Sequence, residues 1–297
     1  MKTSLDCIPC LVRQTLDAAR LVSRDAAVVE RAVREVLRWT ADMNMDQPPP
    51  VMGQRIHRWL REVVGIKDPY HDAKDHQNRM ALNLLPDLRS RIEAAADPLT
   101  MALRLAIAGN VIDMAVSGNV RGSCLRESVS QALTEPFDGE ENDFRQAVAE
   151  AERILYLADN AGEIAFDRLL IEQLPPTRVT LAVRGAPILN DATMADARAV
   201  GLHEIVEIID NGSDAPGTLL DDCSLEFQRR FTEADLIIAK GQGNFETLSD
   251  ELANIIFLFK AKCPVIARQV LVPLGTHVVW RSHAGVANSE AMSSAGT

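Results

Sequence analysis

Beyond Phe144, short β-rich runs alternate with helix-length intervals: RILYLAD, RVTLAVRG, EIVEIID, ADLIIAKG and CPVIARQ, with THVVW as a candidate last strand. No other feature of the chain restricts its fold so tightly. Apolar, β-branched runs too short for helices, each succeeded by an amphipathic stretch, build a parallel sheet whose two faces are covered by helices. The first run leads into DNAGEIAFDRLL, where Asp159-Asn160 breaks the apolar pattern and Ala161-Gly162-Glu163 opens an amphipathic helix. In a parallel sheet this puts acidic and amide oxygens at the carboxyl end of a strand, beside a helix N-terminus whose free N–H groups attract anions. A divalent cation and a phosphate can meet at such a place.

The first third of the chain has a different period. From Thr15 to about Ala94 apolar residues recur at three- and four-residue spacing, as in TLDAARLV, AVVERAVREVLRWTADM and MGQRIHRWLREVVG. Pro48-Pro49-Pro50 separates two of these helices, and Asp68-Pro69 introduces another segment, DPYHDAKDHQNRMALNLLPDLRSRIE. PLTMALRLAIAGNVIDMAV is nearly uncharged and is expected to lie buried between the helical unit and the alternating region. The expected organisation is an α-helical N-terminal domain over residues 1–98, an α/β domain with a mostly parallel sheet over 99–285, and a flexible tail over 286–297.

With 297 residues, 47% of them hydrophobic, the chain can bury a substantial core. A net charge of −11 excludes a general nucleic-acid binder, which needs clustered Lys and Arg to displace counterions. No uncharged apolar stretch is long enough to span a membrane, and MKTSLDCIPC lacks the apolar centre of a signal peptide. The five cysteines form no regular framework, so a reducing cytoplasm is the expected location. Oligomeric state is not legible.

Four of the strand ends carry unusual residue sets: Asp159-Asn160; Ala186-Pro187-Ile188-Leu189-Asn190-Asp191; Asp210-Asn211-Gly212; and Lys240-Gly241-Gln242-Gly243-Asn244-Phe245-Glu246. In an open α/β sheet the ligand crevice lies outside the carboxyl ends, where these sets can converge. Asp159, Asn160 and Asp191 are hard oxygen donors suited to magnesium or manganese more than to zinc. Lys240 adds a positive charge, and the Gly241 and Gly243 backbone can approach an anion closely. Phosphoryl transfer to water needs mainly positioned charge and an activated water, and fits this set. For any one set taken alone, ordinary loop and cap chemistry is the competing explanation.

Three further features admit more than one role. Asn110 and Asp113 lie at i and i+3 on an otherwise apolar helix, which implies either a border with the cavity or a solvent-facing or internally bonded stripe. Cys7-Ile8-Pro9-Cys10 is half of a zinc site with no second half in sequence, and leaves structural, redox and partial metal-binding roles open. The six histidines show no ligand spacing; no G-x-S-x-G or Walker A sequence occurs, and GQGNFE lacks the third glycine of a dinucleotide fingerprint.

Taken in order, CIPCLVRQ, DPYHDAKDHQNRMAL, AGNVID, LADNAGEIAFDRLLI, VRGAPILNDATMADA and AKGQGNFETLSD resemble the metal-dependent damage-control phosphatases, the family also described as domain of unknown function 89 or acidic-residue methyltransferase-like. The likeness runs from about residue 1 to 285 and is nearest to the short prokaryotic and archaeal branch with the N-terminal C-x-x-C. It implies a Rossmann-like α/β/α sandwich behind the helical region. It also implies hydrolysis of phosphate monoesters of small metabolites with manganese, nickel, cobalt or magnesium. By motif the metal would be held by Asp159, Asn160 and Asp191, and Lys240 would meet the phosphate. The Arg-Thr-x-Lys motif of the fructose-phosphate branch is absent, so that substrate is not implied.

The resulting expectation is a cytoplasmic phosphatase with a small phosphorylated metabolite as partner and neither nucleic acid nor membrane. Asp159, Asp191, Lys240 and Asp113 are the expected catalytic residues. Asn110, Ala161, Gly162, Glu163, Lys240, Gly241 and Asn244 would bind substrate or phosphate, with Glu163 or Asp113 orienting water. The alternative is a non-catalytic nucleotide or sugar-phosphate binding protein using the same strand ends.

Overall fold

The computed structural model describes residues 1–109, 127, 129–139 and 141–282. The N-terminal helices are α1 (Cys7–Val22), α2 (Ala26–Ala41), α3 (Pro49–Val64), α4 (His71–Leu82), α5 (Leu85–Glu93) and α6 (Pro98–Ala108). Asp25 caps α2 and Asp97 caps α6 through their side chains, while Pro49 and Pro98 open α3 and α6 where no N–H is needed. Gly65 ends α3 in the left-handed conformation at φ 69°.

The C-terminal part is a seven-stranded sheet built from β1 (Phe137–Asp138), β2 (Ile154–Leu157), β3 (Val179–Val183), β4 (Glu207–Asp210), β5 (Leu236–Lys240), β6 (Ile255–Lys260) and β7 (His277–Arg281). The intervening helices are α7 (Glu141–Glu150), α8 (Glu163–Ile171), α9 (Met194–Ala199), α10 (Leu225–Glu233), α11 (Gly241–Leu248) and α12 (Pro264–Gln269). The strand order is β1-β7-β6-β5-β2-β3-β4, parallel throughout except for the β6–β7 pair. The expected α/β/α architecture is therefore present. From β2 the chain winds outward through β3 and β4, then returns to place β5 on the other side of β2. The direction of winding reverses between β2 and β5, and a crevice opens outside the carboxyl ends there.

Two assignments differ from the sequence expectation. CPVIARQ is not a strand: Cys263 stands at the N-cap and Pro264 at the first turn of α12. The sheet position is taken instead by IIFLFK, a run apolar up to its final Lys260, which forms β6 and is buried along nearly all its length. Proline at the first helical position and its missing donor decide against a strand in the sheet interior.

Packing also partitions the helices unequally. Leu11, Ala19, Ala32, Val36, Ile56 and Leu60 give α1–α3 a core of their own. Ala81, Leu85, Leu88 and Ile92 of α4 and α5 join instead the core formed by α6, α8 and the sheet. The α1–α3 unit docks through α3: Gln54 donates to Asp214 at 2.8 Å, Arg58 and Arg61 pair with the same carboxylate, and Arg61 donates to the Pro187 carbonyl at 2.8 Å. Among the described residues no helix is long and apolar enough to cross a membrane.

Candidate active site

The loops after β2 and β3 are zipped together by their backbones. Ala192 donates to the Asp159 carbonyl at 2.7 Å, Ala161 to the Asn190 carbonyl at 2.8 Å, and Asn160 and Asp191 form an isolated antiparallel bridge. This local pairing brings the Asp159, Asn160 and Asp191 side chains to one point although two of them belong to a different loop from the third. From the far side of the switch point Gly241 backs onto Asp159. With φ at 80° and a would-be Cβ 2.0 Å from Asp159 Oδ2, only glycine fits there.

Asp159, Asn160 and Asp191 line a cavity of about 430 Å³ shared with Gln242, Gly243 and Lys262. Cys7, Cys10 and Cys263 line it as well. A larger opening of about 650 Å³ lies at the amino ends of β2 and β3, lined by residues such as Arg153, Arg178 and Glu207. That is the wrong end of the strands for the crevice chemistry.

Both carboxylates in the cavity are nearly buried, at 9% exposure for Asp159 and 3% for Asp191. Desolvation, joined by the Glu163 and Asp191 charges, pushes the Asp159 carboxyl well above its ordinary value, against the pull of Arg184 and Lys262. Desolvation likewise raises Asp191 although Arg184 opposes it. Arg184 Nε donates to Asp191 Oδ2 at 2.7 Å, and its Nη2 lies 3.8 Å from Asp159 Oδ1 without a hydrogen-bond partner. Asn160 Nδ2 donates to Asp159 Oδ2 at 2.8 Å and to Glu163 Oε2 at 3.1 Å. Hard oxygens crowded together at the expense of their ionisation make a donor set that a divalent cation would relieve. One or two carboxylates plus water and phosphate oxygens are the usual complement of magnesium or manganese.

Beneath this layer lies a second one. Lys240 is fully buried, and its Nζ donates to the Ala106 carbonyl at 2.9 Å, to Glu163 at 2.7 Å and to Asp167 at 2.5 Å. Burial alone would lower its pKa, but the Asp167 and Glu163 carboxylates outweigh it and hold the ammonium charged. Burial pushes Asp167 up to about 6 against the Lys240 charge, and Tyr156 donates to it at 2.8 Å. An ammonium has three protons, and all three are directed inward. Lys240, expected to meet phosphate, in this structure supports Glu163, and through Glu163 the Asn160 amide.

The helix amides fare similarly. The Ala161 N–H is held by the Asn190 carbonyl and the Gly162 N–H by Asn78 Oδ1 at 2.7 Å, so neither is offered to an anion. Glu163 and Asn244 also lie below the cavity. Asn244 donates to the Lys240 carbonyl at 2.7 Å and accepts from Thr218 at 2.8 Å, bracing the α11 start against β5. Asn110 and Asp113 lie outside the described residues.

Residues that the sequence places in motifs but gives no role complete the support. Asn78 and Lys74 of α4 hold Asp196, at 2.9 and 3.1 Å, and Asp196 in turn forms a capping box with Thr193 at the start of α9. Arg184 lies in the VRGAPILNDATMADA motif without a role assigned to it, and Lys262 has only its place before a Cys-Pro helix start as a hint.

The sequence matches the Damage-control phosphatase ARMT1-like domain over residues 3–278. The chain belongs to that family. A damage-control phosphatase of Archaeoglobus fulgidus is 35% identical over 284 residues, spanning 94% of this chain and 98% of its own length. A damage-control phosphatase of Pyrococcus horikoshii is 34% identical over 288 residues, spanning 95% and 99%. The crystal structure of a DUF89 family protein from Pyrococcus horikoshii has the same fold, with a TM-score of 0.87 at 34% identity over 95% of this chain and 99% of that one. The resemblance carried by the ordered motifs is thus borne out, and the family is one of phosphatases.

Proposed function

We propose that the chain is a metal-dependent phosphatase acting on phosphate monoesters of small metabolites in the cytoplasm. Asp159, Asn160 and Asp191 would hold manganese, nickel, cobalt or magnesium. The observation that carries this is the pair of nearly buried, mutually repelling carboxylates of Asp159 and Asp191 opening onto the cavity at the switch point.

A divalent cation bound there supplies a Lewis acid for a phosphoryl oxygen and an acidified water. The chain supplies the rest. Arg184 fixes one oxygen of Asp191, leaving the other for a ligand. Glu163, anchored by Lys240, fixes the Asn160 amide. Lys262 brings a positive charge to the lining of the same cavity, which residues of α1 and α3 also line. Inorganic phosphate release from p-nitrophenyl phosphate and a panel of phosphosugars, with each metal and with chelator, is the test. Turnover unaffected by chelator, or binding of phosphorylated metabolites without release, would refute the proposal.

A further inference from the structure

The C-x-x-C pair is left unexplained by phosphate chemistry, yet the fold gives it a third member. Cys7 and Cys10 stand one turn apart at the start of α1, and Cys263 is the N-cap of α12; all three border the cavity that holds Asp159 and Asp191. Cys10 is exposed, and Cys7 and Cys263 are half-buried. The segment before α1 is fastened here: Arg268 of α12 pairs with Asp6 at 2.7 Å, and the Met1 amine donates to the Glu246 carbonyl at 2.7 Å. Gln14 and Gln242 donate to the Cys10 and Cys263 sulfurs at 3.6 Å each. Among the described residues no three His, Cys, Asp or Glu side chains are arranged to hold an ion, whereas a disulfide needs only two thiols.

We propose that Cys10 and Cys263 form a thiol–disulfide exchange site at the cavity mouth, which takes low-molecular-weight disulfides and ends as a bond between the starts of α1 and α12. Cys10, the exposed thiol, loses its proton to solvent and attacks one sulfur of a disulfide RSSR. The reagent's S–S bond breaks, a Cys10–S–S–R bond forms, and RS⁻ leaves and takes up a proton. Cys263, deprotonated in turn, attacks the Cys10 sulfur and releases the second RSH. The two protein thiols are oxidised by two electrons and the reagent is reduced to two thiols. Partial burial, with the neighbouring Cys263 side chain adding to it, pushes the Cys10 thiol up, which keeps its thiolate fraction low and the exchange slow. A disulfide holds its Cβ atoms roughly 3.5–4.5 Å apart, which fixes α1 against α12 across the entrance.

Bond formation is independent of the phosphatase reading; its effect on turnover rests on that reading. The full chain loaded with manganese is incubated with oxidised glutathione, then mapped by non-reducing peptide mass spectrometry beside a phosphate-release assay. A Cys10–Cys263 linked peptide pair is expected, with turnover reduced about tenfold or more and restored by dithiothreitol. Cys263→Ser should stop at a glutathione adduct on Cys10, and Cys10→Ser should form no link and keep after treatment the rate it had before. An unchanged thiol count, adducts without a link, or a Cys7–Cys10 bond overturns the site; a link at full turnover overturns the closure. If the protein releases no phosphate even before treatment, the phosphatase reading fails while the peptide map still decides the exchange site.

Discussion

Two carboxylate pairs lie one above the other in the same crevice, and they are neutralised in different ways. In the lower pair, Glu163 and Asp167 share Lys240, which spends every proton on them and on a backbone carbonyl. In the upper pair, Arg184 serves Asp191 well but reaches Asp159 only at 3.8 Å and keeps an unpartnered Nη2. The lower pair is closed and holds the fold; the upper pair opens onto a cavity and remains short of positive charge. A pair of buried acidic residues therefore does not by itself mark a cation site. What marks it is acid left uncompensated where a ligand can enter.

The largest expected effect tests the lower pair. Lys240→Met leaves two carboxylates in the interior with no cation, and breaking a buried pair costs about 3–5 kcal/mol. Denaturant unfolding should show that loss. A variant as stable as the parent but inactive would erase the distinction and return Lys240 to the cavity.

The upper pair should behave in the opposite sense. Asp159→Asn removes a desolvated charge pressed against its neighbour, so the metal-free protein should melt at a higher temperature than the parent, whereas Asp191→Asn also strips the buried Arg184 of its carboxylate and should melt lower. Manganese affinity, measured by calorimetry, should fall beyond the roughly 10–100-fold that losing an outer-shell partner costs. Asn160→Ala, which removes a neutral donor, should weaken binding less. Unchanged affinity in both Asp variants would dissolve the comparison.

A smaller effect is expected at the α4 seam. Asn78→Ala strips a partner from the buried Gly162 N–H and from Asp196, an unsatisfied-group cost of about 1–3 kcal/mol. The Asp159-Asn160 loop should lose rigidity, lowering turnover more than metal affinity. Equal losses in both would make Asn78 part of the upper set.

The smallest effect concerns pH. His57 on α3 is buried beside the loop that carries Asp191, and burial, with the Arg61 charge adding, lowers its pKa to about 4. The unfolded chain, at the ordinary value of 6.5, takes the proton first. This contribution is complete above pH 6.5 and drains away as pH falls toward 4, so His57→Gln should flatten the stability profile in that window. A profile identical to the parent's would show that α3 docks without regard to His57.

Much of the crevice was legible because its logic is local. Apolar runs such as ILYL and LIIAK that are too short for helices, each ending in a polar turn, state both that a parallel sheet forms and that Asp159, Asn160 and Asp191 stand at its carboxyl ends. The error at CPVIARQ has a local cause as well, since Val265 and Ile266 favour a strand while the decisive fact, that IIFLFK already fills that slot, is a matter of sheet assembly.

The sequence alone determined the alternation of strand and helix and the residues available at each strand end, because periodicity and turn chemistry act over a few neighbours. Tertiary structure decided which charges cancel. Nothing near Lys240 in the chain reveals that Glu163 and Asp167 will take its protons, nor near Gly162 that Asn78 will take its amide. Nothing in CIPC announces that Cys263 will join it in lining the cavity. A charge or thiol takes its character from what surrounds it in a medium of low dielectric, and those surroundings are assembled from residues far apart in the chain.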